Sequence, residues 1–213
     1  MEAVIWDFGG VLTTSPFEAF NRFEVLRGLP RNFIRTVNAT NPDANAWARF
    51  ERAEVGEAEF DALFAADSRA LGYEVRGRDV LPLLSGDLRP RVVAALEAVA
   101  RCFKTGCITN NVAVGEGPGM AVAGGKAREI ASVMARFAHV IESSKIGIRK
   151  PDPRIYALMC EALDAPPEAC VYLDDLGVNL KPARAMGMTT IKVESEAQLL
   201  VDLSRATGVD LQS

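Results

Sequence analysis

The chain has 213 residues, a formal net charge of −4, and 49% hydrophobic against 24% charged residues, enough apolar material for one packed domain or a core with a modest insertion. With no long basic or acidic run, general nucleic-acid binding through phosphate neutralisation is not expected. No apolar run approaches the roughly 18 residues of a membrane span, and no basic segment leads into an apolar one at the N-terminus, so a cytoplasmic chain without a signal peptide is expected.

The first element is a strand over Glu2–Trp6, followed at once by Asp7 and the turn residues Gly9 and Gly10. From about Ser15 to Gly86 the pattern is helical throughout. Phe17, Phe20, Phe23 and Leu26 recur at helical spacing, as do Trp47 and Phe50, then Phe60, Leu63 and Phe64. That periodicity predicts a small helical block packed on itself by its aromatic residues. A helix over Arg89–Ala100 then leads into a strand over Phe103–Thr109. The glycine-rich Gly115–Lys126 suggests a phosphate loop, but Gly119 and Gly124 are followed by Gly125, Lys126 and Ala127, and the spacing fails. A flexible loop is expected there instead.

Beyond it the pattern alternates: a helix over Lys126–Phe137, a strand over His139–Ser143, a helix over Asp152–Leu163, a strand over Cys170–Asp174, a helix over Leu180–Met186 and a strand over Thr189–Val193. Pro153 suits the first turn of its helix. Several strands are near-continuous apolar runs, which suits a parallel sheet covered on both faces. The expected fold is therefore α/β: a doubly wound parallel sheet with residues 1–14 and 87–213 as its core, and residues 15–86 as a helical cap inserted after strand one. The four cysteines form no CxxC pair and are expected to be reduced thiols, mostly buried. His139 is the only histidine, which argues against a His-based triad or a multi-His metal centre.

In such a sheet the C-terminal strand ends share one edge, where ligands bind. That edge collects Asp7, Thr109 with Asn110 and Asn111, Ser143 and Ser144 with Lys150 shortly after, and Asp174 with Asp175. Singly, each has an ordinary reading as a turn former or helix cap. Together they have a joint chemical reason. Clustered carboxylates repel unless a cation relieves them, and Mg²⁺ prefers oxygen ligands. A phosphate would add oxygens to that metal, Lys150 and Thr109 would hold it, and Asp7 would attack phosphorus.

The motifs "WDFGGVLT", "CITNN", "RKPDPRIY" and "VYLDDLGVNLKPARAMGM" resemble those of the haloacid dehalogenase-like hydrolase superfamily. Among its members the chain resembles subfamily IA and the phosphatase-like N-terminal domains of mammalian soluble epoxide hydrolases. "FERAEVGEAEFDAL" is similar to the cap sequence of that subgroup. The resemblance implies that Asp7 is the nucleophile and forms an aspartyl-phosphate. It implies that Thr109, Asn110 and Lys150 bind the transferring group, and that Mg²⁺ is held by Asp7, the Gly9 carbonyl and Asp175, with Asp174 in support. Most phosphatases of this kind carry a second Asp where Gly9 stands, as the general acid and base, a function commonly worth about 10²–10⁴ in rate.

The leading expectation is a Mg²⁺-dependent phosphatase for a small phosphorylated molecule, with neither nucleic acid nor membrane as partner. Two alternatives stand beside it. One is a metal-independent 2-haloacid dehalogenase, a branch that also lacks the second Asp. The other is a non-enzymatic phosphate-binding module.

Overall fold

The computed structural model describes residues 1–112 and 125–211. Most of the glycine-rich loop read over Gly115–Lys126 lies outside the described residues. Five strands form one parallel sheet: β1 (Ala3–Trp6), β2 (Lys104–Thr109), β3 (His139–Glu142), β4 (Cys170–Asp174) and β5 (Thr189–Lys192), in the order β3-β2-β1-β4-β5. Each begins and ends within one or two residues of its expected position. β1 pairs with β2 through Ala3↔Lys104 to Trp6↔Cys107 and with β4 through Ala3↔Cys170 to Trp6↔Leu173. The chain winds outward from β1 to β3, then returns to lay β4 on the other side of β1. The switch point between β1 and β4 opens a crevice at their C-terminal ends.

Alternation along the strands divides the core. Val4, Trp6, Cys107, Val171 and Leu173 face one side, where α6 (Pro90–Ala100), α7 (Gly125–Met134) and α11 (Glu196–Thr207) cover them. Ala3, Ile5, Ile108, Cys170 and Tyr172 face the other, beneath α9 (Pro153–Leu163) and α10 (Gly177–Ala185). Burying each such Val, Leu or Ile side chain is worth about 1.5–3 kcal/mol relative to exposure. Two local departures from the sequence pattern have clear causes. Ser143 ends no strand but opens a short helix, α8 (Ser143–Ile146), because its hydroxyl is drawn to the Asn111 carbonyl at 3.2 Å. α10 starts one turn before Leu180, because Oδ1 of Asp174 accepts the Leu176 N–H at 2.7 Å and fixes the entry into the helix.

Between β1 and α6 every regular element is helical: α1 (Pro16–Leu26), α2 (Phe33–Ala39), α3 (Ala46–Glu51), α4 (Glu57–Ala70) and α5 (Gly77–Val80), then a 3₁₀ turn at Leu81–Leu84. Ser15 caps α1 and Asn45 caps α3 with side-chain oxygens. The aromatic residues make a core of their own, in which Phe50 stacks on Phe60 at 4.4 Å and Trp47 meets Phe60 edge-on at 5.6 Å. Leu26 is an exception to the expected stripe, being 84% exposed at the end of α1. The insert joins the sheet through two paired linkers, where Thr13 bridges Leu88 and the Thr14 N–H donates to the Asp87 carbonyl at 2.8 Å. No helix among the described residues is long and apolar enough to cross a membrane. All four cysteines are free, and three of them are buried.

Candidate active site

Asp7 follows the last residue of β1 and continues the ladder, its N–H donating to the Leu173 carbonyl at 2.9 Å. That bond fixes the Asp7 backbone beside the end of β4. Because β1 is the central strand, Asp7 lies between the tips of β2 and β4. Thr109 ends β2 and Asp174 ends β4, and both are buried. Thus the sheet alone brings three of the expected site residues to one edge.

Lys150 completes the group from the loop before α9. It is only 1% exposed, and its ammonium lies 2.7 Å from Oδ1 of Asp7 and 2.9 Å from Oδ2 of Asp174. Burial works against that charge, but Asp174 and Asp7 outweigh it and hold the Lys150 pKa above its ordinary value. Asn110 fixes the Lys150 backbone from both sides. Its amide oxygen accepts the Lys150 N–H at 2.8 Å, and its amide nitrogen donates to the Lys150 carbonyl at 3.0 Å.

The two adjacent aspartates differ in kind. Asp174 is fully buried, and it accepts hydrogen bonds from the Tyr172 hydroxyl, the Asn179 amide, the Leu176 N–H and Lys150. Its oxygens are committed to the fold. Asp175 is partly exposed and lines the cavity. Burial and then the Asp174 charge push its pKa up to about 6. Burial likewise raises the Asp7 pKa above its ordinary value, against the pull of Lys150 and with the push of Asp174 and Asp175.

Carboxylate oxygens of Asp7, Asp174 and Asp175 all lie within 4.8 Å of one another, so three carboxylates face one ammonium. A hard divalent cation with oxygen ligands fits that imbalance. The turn after Asp7 is shaped around the same cluster. Gly10 has φ +76°, and a Cβ there would lie 2.2 Å from Oδ2 of Asp175. A Cβ at Gly9 would meet nothing within 4 Å.

A cavity of about 730 Å³ opens over these groups. Asp7, Gly9, Thr109, Asn110, Lys150 and Asp175 line its floor, while Phe17, Phe20, Arg35, Trp47 and Glu51 of the helical insert line its roof. Ser143, Ser144 and Asn111 are absent from this lining. They brace the tips of β2 and β3 instead, with Ser144 donating to the Asn111 amide oxygen at 2.9 Å. Sequence reasoning missed Asn179 and Tyr172, which anchor Asp174, as well as Arg35, Glu51 and Arg149. Asn179 carried a usable signal: five residues after Asp174 and inside the next helix, it faces back toward the strand tip.

Residues 1–187 match the model of the haloacid dehalogenase-like hydrolases. The chain belongs to this family. The haloacid dehalogenase-like hydrolase described here is 30% identical over 223 residues to bifunctional epoxide hydrolase 2 of Sus scrofa, a match covering 99% of this chain and 40% of that protein. It therefore spans less than half of that relative's length. It is 32% identical over 112 residues to phosphatase MT3486 of Mycobacterium tuberculosis, covering 53% of this chain and 47% of that one. Among solved structures, a family enzyme from Bacteroides thetaiotaomicron in complex with magnesium and inorganic phosphate aligns with a TM-score of 0.60 at 15% identity, covering 92% of this chain and 96% of that one. At that identity the likeness shows the fold of this haloacid dehalogenase-like hydrolase and no more.

Proposed function

We propose that the protein is a Mg²⁺-dependent phosphatase that hydrolyses a small organic phosphate monoester through an aspartyl-phosphate on Asp7. The observation that carries this reading is the contact of Lys150 with Asp7 inside a cluster of three carboxylates at the floor of a cavity. The relative named as a phosphatase agrees with it.

In this reading residues 15–86 are the cap and the two flanking segments, 1–14 and 87–213, are the core. Lys150 orients one oxygen of Asp7, leaving the other to attack phosphorus. The new bond joins Asp7 Oδ to phosphorus, and the bond from phosphorus to the leaving oxygen breaks. Water then attacks phosphorus, releasing inorganic phosphate and restoring the Asp7 carboxylate. Lys150 and the Thr109 hydroxyl hold the phosphoryl oxygens. The Asn110 side chain serves by fixing Lys150, since both ends of its amide are engaged there. Asp7, Asp175 and the Gly9 carbonyl would hold Mg²⁺, with Asp174 as the buried support, and the ion would supply charge neutralisation that lets one anion approach another. Gly9 supplies no acid, so the leaving oxygen departs with help from water or from the substrate itself.

The test is phosphate release from an aryl phosphate with Mg²⁺ and with excess chelator, in wild type and Asp7→Asn. Release that needs both Mg²⁺ and Asp7 is expected. Halide release from a 2-haloacid, insensitive to chelator, would replace this reading with the dehalogenase one.

A further inference from the structure

Glu51 ends α3 and is buried at the boundary between the helical insert and the sheet, 6% exposed. Its Oε2 lies 2.6 Å from Nε of Arg149, the residue before Lys150. The same oxygen lies 3.5 Å from the amide nitrogen of Asn110, which itself brackets the Lys150 backbone. Its other oxygen accepts the Trp47 indole N–H at 2.9 Å. Arg149 reaches further into the insert and donates to the Pro42 carbonyl at 2.8 Å.

One carboxylate of the insert thus touches the side chain of the residue before Lys150 and the amide that brackets the Lys150 backbone. Every one of these contacts ties Glu51 to the protein's own donors, Arg149 and Asn110 on Oε2 and Trp47 on Oε1. We infer that Glu51 and Arg149 form a latch: they are positioning residues that couple the seating of the helical insert to the placement of Lys150. An ion pair with one buried partner, Glu51, and one half-buried partner, Arg149, suits this task, since its attraction depends on close geometry.

The test is hydrogen–deuterium exchange on wild type, Glu51→Gln, Arg149→Met and the double variant. Each single change is expected to raise exchange in two separate segments, residues 42–51 and 147–151, while β4 and β5 stay protected. The double variant is expected to match the larger single effect, because both changes break one coupling. Increments that add, or a rise confined to residues 42–51, would overturn the latch. Should Arg149→Met unfold the insert, Arg149→Lys keeps the charge and is expected to perturb the same two segments less. No response at residues 147–151 in that variant would count against the latch too.

A second measurement rests on the phosphatase reading. Each single variant is expected to lose about 10²-fold in kcat with KM little changed, the cost of a misplaced positioning group. A rise in KM at unchanged kcat would overturn the coupling to Lys150. Wild-type protein without turnover would instead overturn the phosphatase reading and leave the exchange result to decide the latch.

Discussion

Nζ of Lys150 lies 2.7 Å from Oδ1 of Asp7, and both side chains are buried where β1 leaves the sheet. Asp174 shares the same ammonium at 2.9 Å. Removing it leaves two carboxylates buried against each other. Lys150→Met is therefore expected to lower stability by about 3–5 kcal/mol, the usual cost of breaking a buried charge pair. Equilibrium denaturation checks this, and unchanged stability would mean that the ammonium does not neutralise the pair.

The two glycines after Asp7 should respond oppositely to one methyl group. At Gly10 the added Cβ would lie 2.2 Å from Asp175, in a backbone conformation that side chains rarely adopt. Gly10→Ala is expected to lower stability by about 1–3 kcal/mol through overpacking and to weaken Mg²⁺ binding by displacing Asp175. Gly9→Ala faces open space and is expected to stay within about 0.5 kcal/mol of wild type. Comparable losses in the two variants would contradict this account of the turn.

The same open space allows a direct trial of the absent acid. Gly9→Asp is expected to raise turnover of an alkyl phosphate by about 10²-fold, because its leaving oxygen needs a proton. An aryl phosphate, whose phenolate departs unaided, should gain far less. Rates measured across esters of graded leaving-group acidity would then fall less steeply in Gly9→Asp than in wild type. An equal effect on every ester would show that proton delivery is not what the wild-type site lacks.

Asp174 and Asp175 are adjacent in sequence but should separate cleanly in a thermal-shift experiment. At 100 times its dissociation constant, Mg²⁺ is expected to stabilise the wild type by about 2.7 kcal/mol. Asp175→Asn should fold well and lose that increment. Asp174→Asn should be less stable even without metal, because the Lys150, Tyr172, Asn179 and Leu176 contacts all end on its carboxylate. The reverse pattern would assign the metal to Asp174.

The sheet was legible because its strands are short apolar runs separated by turn residues, and a parallel sheet turns strand ends into one edge. Asp7, Thr109 and Asp174 could therefore be grouped without coordinates. Lys150 was legible as a loop residue near that edge, but its burial between two carboxylates was not. The Glu51–Arg149 pair is separated by 98 positions. Nothing in the local pattern distinguishes either residue from the many exposed charges of the chain. Leu26 fits the helical stripe of α1, yet lies past the point where the insert covers that helix. Periodicity reports which face is apolar, and it leaves open how far along a helix the neighbouring elements reach.

The central claim is that Asp7 carries the phosphoryl group. The most direct measurement is an acid quench during turnover of an aryl phosphate with Mg²⁺, followed by mass spectrometry of the peptide that contains Asp7. The account predicts a phosphoryl group on Asp7 that is released by hydroxylamine and is absent from Asp7→Asn. Phosphate release at the wild-type rate by Asp7→Asn, or a phosphoryl group trapped on another residue, would contradict it.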